Sequence, residues 1–122
     1  MSTPAAPGSP RTGHAGGFVV AGPRGDQFII FQISVALEHQ GTGAGGVLMH
    51  TALEAGRRLG CRQAALTTFR DIAWNAPWYR RFGFEIVEEA DLSPALAHLR
   101  DKEAALGFDM SQRCAMTVDL RA

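Results

Sequence analysis

Residues 39–46 read HQGTGAGG, between an apolar run, FIIFQISVAL, and a stretch of helical character, VLMHTALEAGRRL. Gly41, Gly43, Gly45 and Gly46 fall within six positions. Glycine removes the Cβ atoms that hold a ligand off the backbone, and a helix N-terminus offers unpaired N–H groups at the positive end of a dipole. That is chemistry for an anion, above all a phosphate or pyrophosphate. Gly41, Gly43 and Gly46 spell GxGxxG, the dinucleotide fingerprint, but that fingerprint starts directly after its strand. Here ALEHQ separates Val35 from Gly41, and Asp71 lies beyond the spacing expected of the ribose-binding acid. A Walker loop is excluded because no Gly-Lys-Ser/Thr follows. What remains is a strand, a short arch and several consecutive N–H groups at a helix start, which is a pyrophosphate cradle.

The elements around the cradle follow from periodicity and punctuation. GFVVA (17–21) predicts a short strand and GPRGD (22–26) the turn after it. FIIFQISV (28–35) is nearly continuously apolar, as in a strand covered on both faces. A helix follows the glycines to about Leu59, with Leu48, Ala52, Ala55 and Leu59 on its apolar side, Glu54 and Arg58 paired on the other, and Gly60 as its stop. RQAALTTF (62–69) predicts a third strand, APWYRRF (76–82) a short helix with Pro77 in its first turn, and FEIVEE (84–89) a fourth strand. Ser93 caps a further helix on which Ala95, Leu99, Lys102 and Leu106 share a face, ended by Gly107. RCAMTVDLR (113–121) alternates as a final strand. Strands interleaved with helices make an α/β architecture with a mixed sheet.

Composition narrows the function. The chain has 122 residues, with 12 basic and 12 acidic side chains, which suits one small domain and no nucleic-acid partner. Arg57, Arg58 and Arg62 read as a solvated helix end. No run is long enough for a membrane span, so no membrane partner is expected. Cys61 and Cys114 lack metal spacing and read as buried free thiols, consistent with a reducing cytoplasm. His14, His39, His50 and His98 show no ligand pairing, so no metal is expected. Residues 1–16, rich in Pro, Gly, Ser and Ala and without a signal-peptide core, read as a flexible tail before a domain over 17–122.

Gln40-x-x-Gly43-x-Gly45 resembles the acyl-CoA pyrophosphate signature, Q/R-x-x-G-x-G/A, of the GNAT (Gcn5-related) N-acetyltransferases. NAPWYRRFGF (75–84) is similar to the later motif of that family, in which an Asn opens a short helix, a Tyr follows, and Gly-Phe opens the next strand; here these are Asn75, Tyr79, Gly83 and Phe84. The two motifs come in the family order with a strand between them. Together they cover roughly residues 28–89.

The resemblance implies the acyl-CoA N-acyltransferase fold, a mixed central sheet flanked by helices, and an acetyl-CoA-dependent N-acetyltransferase acting on a small-molecule or peptide amine. It implies that the backbone of Ile33, Ser34 and Val35 bonds the pantetheine arm where two strands splay apart. Backbone N–H groups across Gln40, Gly41, Thr42, Gly43, Ala44 and Gly45 would hold the pyrophosphate. The Asn75 amide would contact the cofactor, and Tyr79 would protonate the departing thiolate. Trp74 and Trp78 read as packing around Tyr79. Two features depart from the family pattern. Gln32 occupies the position where many relatives carry a Glu general base, with Glu38 and Asp71 the nearby acids. Only tail-like sequence precedes GFVVA, where the family begins with a strand and two helices, and the sheet edge this leaves favours a homodimer. An acyl-CoA-binding or regulatory module without turnover, and more distantly a dinucleotide-binding fragment, are the alternatives.

Overall fold

The computed structural model describes residues 11–14, 17–35, 43–71 and 75–121. Among these residues six strands form one sheet: β1 (Arg11–His14), β2 (Gly17–Arg24), β3 (Gln27–Val35), β4 (Gln63–Phe69), β5 (Glu85–Val87) and β6 (Arg113–Asp119). Three helices connect them: α1 (Ala44–Arg58), α2 (Ala76–Arg80) and α3 (Pro94–Ala105). The order across the sheet is β1-β2-β3-β4-β6-β5, antiparallel throughout except for the central parallel pair β3–β4. That one parallel pair is joined by the α1 crossover, as parallel neighbours require.

Arg11–His14, which composition places in a flexible tail, instead form β1, paired with β2 from Arg11↔Val20 to His14↔Gly17. A strand added at an edge is held by backbone hydrogen bonds, so a segment poor in core formers can still supply one. The turn expected over 22–26 narrows to Gly25 and Asp26, and Pro23 lies inside β2. Among the described residues β1 pairs with β2 no further than Val20, so no described strand asks the missing Pro23 N–H for a bond on that side.

α1 and α2 cover one face of the sheet and α3 the other. On the first face Phe28, Ile30, Met49, Leu66, Phe84 and Met116 lead a large apolar cluster. On the second, Ile29, Ala65, Leu96 and Ala115 form a small one. β3, β4 and β6 therefore bury side chains of both parities, and on β6 Cys114, Ala115 and Met116 are all buried.

The helix faces expected from periodicity need correction at their ends. α1 buries Leu48, Met49, Ala52, Leu53 and Gly56, whereas Leu59 is 57% exposed. Gly56 sets this rotation: a Cβ there would lie 2.9 Å from Leu120 Cδ1 and 3.1 Å from Phe28 Cβ, so the glycine lets the helix sit directly on the sheet. α3 buries Leu96, with Leu92, Ala95 and Leu99 against the same cluster, while Leu106 lies past the helix end and is 78% exposed.

Candidate active site

The parallel pair is where the sheet opens. β3 and β4 pair at Gln27↔Gln63, Phe28↔Ala64 and Ile29↔Ala65, and no further pair forms although β3 runs on to Val35 and β4 to Phe69. Part of the cause lies on β3. Opposite the step from Val20 to Ala21 on β2, β3 takes the two steps from Gln32 to Ile30, so Phe31 is an extra, bulged residue. The bulge resets alternation. Phe28 and Ile30 face α1 before it and Ile33 packs on the same side after it. The expected splay beside Ile33, Ser34 and Val35 is therefore a feature of this structure.

The splayed end of β3 meets the start of α1. Gly43 occupies the N-cap with φ 90°, the left-handed region that glycine adopts without strain, and its carbonyl accepts from Val47 N at 3.1 Å. Among the described residues nothing lies within 4 Å of where a Gly43 Cβ would stand. α1 has no side-chain cap and no acidic residue in its first turn. Among the described residues no side chain caps the N–H groups that open the helix, the groups every helix start must satisfy from outside itself. Gly45 is closely packed instead: its Cβ would stand 3.2 Å from Trp78 Cζ2 and 3.5 Å from Val35 Cγ2. That one contact brings together the end of β3, the head of α1 and the side of α2. Gln40, Gly41 and Thr42, expected in the same cradle, lie outside the described residues, as do Glu38 and Trp74.

α2 carries the second motif. Asn75 precedes it, and the buried Thr68 hydroxyl donates to Asn75 Oδ1 at 3.0 Å. With its carbonyl oxygen engaged, the Asn75 amide retains its NH₂ as donor. Tyr79 is held edge-on by Trp78, with centroids 5.1 Å apart, and by Phe84 at 6.0 Å. Burial raises the Tyr79 pKa above its ordinary value, and the positive charge of Arg113 draws it part of the way back. Its hydroxyl makes no hydrogen bond among the described residues. Trp78 packs against the core, Gly45 and Phe82, the last at 4.7 Å between centroids. Thr68 is the residue that sequence reasoning misses; a threonine on a β-rich strand carries no mark of the side chain it will orient.

The acids stand apart. Gln32 is half-buried on β3, and Asp71 is exposed beyond the end of β4. Glu103 is engaged by Arg113 through two contacts, 3.1 and 3.2 Å. Among the described residues no group of three or more His, Cys, Asp or Glu could hold a metal ion, and no helix is long and apolar enough to cross a membrane. Cys61 and Cys114 are buried free thiols whose pKa values burial pushes up.

Three features thus meet at one end of the sheet: a gap between parallel strands, an uncapped glycine-bearing helix start, and a neutral phenol on the short helix beside them. The acetyltransferase (GNAT) domain family matches this chain over residues 11–86. Among solved structures, nourseothricin acetyltransferase is similar at 30% identity and a TM-score of 0.62, over 86% of this chain and 58% of that one. The ribosomal-protein-S18-alanine N-acetyltransferase from Escherichia coli is similar at 13% identity and a TM-score of 0.66, over 94% of this chain and 71% of that one. N-acetylglutamate synthase from Neisseria gonorrhoeae, complexed with coenzyme A and N-acetyl-glutamate, shares the fold at 17% identity and a TM-score of 0.69, over 86% of this chain and 23% of that one. The chain therefore spans about three-fifths of the first of these proteins and under a quarter of the last.

Proposed function

The chain belongs to the GNAT acetyltransferase family, and from that premise we propose that it transfers the acetyl group of acetyl-CoA to a primary amine by direct attack in a ternary complex. The observation that carries this reading is the open β3–β4 pair leading to the uncapped start of α1. The described residues fit the ligand: a linear pantetheine arm suits a gap between strands, and a pyrophosphate suits the helix start at Gly43, Ala44 and Gly45; Gln40, Gly41 and Thr42 are assigned to the same cradle from the sequence motif alone. When bound, acetyl-CoA supplies the activated acyl group. Backbone along Ile33, Ser34 and Val35 aligns the arm, and the Asn75 NH₂ donates to it.

Tyr79 is the proposed catalytic residue. Its hydroxyl donates a proton to the departing thiolate, whose parent thiol titrates near ~8.5 against ~10 for an unperturbed phenol. Burial pushes the Tyr79 phenol above its already alkaline ordinary range, so the acid form is present across the physiological range. An amine of ordinary basicity must lose its own proton before attack, and Gln32 cannot take it. That substitution favours a second reading, a module that binds acyl-CoA without turnover. Two buried thiols suit a reducing cytoplasm, and β1, the outermost strand among the described residues, is the edge along which a homodimer would pair.

The test is acetyl transfer from acetyl-CoA to a panel of amines, with nourseothricin first because of the similar enzyme, followed by peptides with an N-terminal alanine. We expect Tyr79→Phe to lower kcat by about 100-fold, the lower end of general acid contributions, with CoA affinity nearly intact. The alkaline fall of the wild-type rate should lie above pH 10 and vanish in the variant. Unchanged kcat in Tyr79→Phe removes that residue from its role. CoA binding without transfer to any amine of the panel selects the binding module.

A further inference from the structure

Beyond Ile29 and Ala65 the facing stretches of β3 and β4 form no pair with one another. Two parallel strands this close gain backbone hydrogen bonds by zipping together, so something must hold them apart. The Phe31 bulge acts on the β3 side. On the β4 side, residues 67–69 are gripped from three directions. Laterally, β6 pairs with all of β4, from Gln63↔Asp119 to Phe69↔Arg113. From the α2 face, Thr68 is tied to Asn75.

The third grip is the unusual one. Thr67 Oγ1 donates to Glu103 Oε2 on α3 and accepts from Arg113 Nη2 at 3.2 Å. Arg113 engages Glu103 at 3.2 Å from Nε and 3.1 Å from Nη2, and its guanidinium lies over the rings of Phe69 at 4.8 Å and Phe108 at 4.9 Å. The two charged side chains are 11% and 12% exposed. A buried pair of this kind gives little net stability over apolar residues of the same size, because desolvating both charges offsets their attraction. What it does give is a fixed geometry. Its contacts on β4 fall on Thr67 and Phe69, both in the half of the strand that has left β3.

We infer that Glu103 and Arg113 are positioning residues that hold the end of β4 against α3 and β6, keeping the β3–β4 gap open at the width the pantetheine arm needs. The inference rests on the acyl-CoA reading above. It separates the two halves of the ligand: the strand gap takes the arm, whereas the head of α1 takes the phosphates and is remote in sequence from the pair.

Calorimetric titration with CoA and with 3′-phospho-ADP, which keeps the pyrophosphate and lacks the arm, tests this. Two variants serve: Thr67→Val, which cuts the link from β4 to the pair, and Glu103→Leu/Arg113→Met, which replaces both charges together. In each we expect the Kd for CoA to rise about tenfold, equivalent to about 1.4 kcal/mol, while the Kd for 3′-phospho-ADP stays within about twofold. Thr67→Val is the milder change and keeps the test available if the double variant does not fold. If folded variants bind both ligands as the wild type does, or lose both equally, the positioning role is overturned. A wild-type protein that binds 3′-phospho-ADP and CoA equally tightly sinks it too. Failure of the wild type to bind either compound instead overturns the acyl-CoA reading itself.

Discussion

The two faces of the sheet are built by different means. Under α1 and α2 the contacts are large and apolar, with Phe28, Leu66, Phe84 and Met116 interlocked with Met49 and the aromatic group of Trp78, Tyr79 and Phe82. Under α3 four buried apolar residues suffice, and polar bonds complete the contact at both ends. At one end Gln27, 5% exposed, donates to Gln63 at 3.0 Å and accepts from Ser93. At the other stand Thr67, Glu103 and Arg113. Apolar packing is non-directional and supplies most of the folding free energy. Hydrogen bonds and buried ion pairs contribute less net energy and more orientation. The α1–α2 face therefore stabilises the sheet, while the α3 face fixes where its strand ends go.

The largest effects should come from breaking the first face. Phe28→Ala removes a ring that is 2% exposed and packed against Gly56, and about 3–5 kcal/mol should be lost. Leu96→Ala strikes the centre of the other face, and about 2–3 kcal/mol is expected, near the lower end for leucine. The apolar cluster around Leu96 is the smaller of the two, so α3 can settle into the space. Urea unfolding measures both from the midpoint at constant m. Equal losses would mean that the α3 face carries as much of the fold as the α1 face.

A smaller effect, on binding rather than stability, is expected at the junction between α1 and the strand gap. In Gly43→Val a β-branched side chain is forced into φ 90°, and its Cβ enters a space in which no described residue lies within 4 Å. CoA affinity should fall about tenfold or more, about 1.4 kcal/mol, as read by titration. Undiminished binding would place the phosphates elsewhere.

Much of this arrangement is legible in the sequence. The apolar β3 run, the glycines before α1, Pro77 and Gly83 around α2 and the cap at Ser93 each express a local preference that the fold respects. The illegible parts depend on contacts between distant residues. The Phe31 bulge is set by register against β2, which one strand cannot reveal. Glu103 and Arg113 are ten residues apart on different elements, and read singly they resemble solvated charges. Leu59 and Leu106 satisfy a helical period and are still exposed, because Gly56 sets how α1 sits and α3 ends before Leu106. Backbone pairing of β1 likewise leaves no apolar signature in residues 11–14.

Ser93 offers the finest test of the contrast, because one hydroxyl does two jobs. It accepts from Leu96 N at 3.1 Å as the cap of α3 and donates to Gln27 Oε1 across the α3 face. Ser93→Ala removes both bonds, and about 1 kcal/mol should be lost, the usual cost of an N-cap. Ser93→Asp separates the two jobs, since a carboxylate caps well but cannot donate to Gln27 while ionised. If the α3 face acts mainly by orientation, Ser93→Asp should recover cap stability yet leave Gln27 without its donor, so that side-chain amide signals of Gln27 and Gln63 shift together in NMR spectra. Full recovery of stability with unshifted signals would reduce Ser93 to a helix cap, and the polar link between β3 and α3 would then be incidental to how β3 is held.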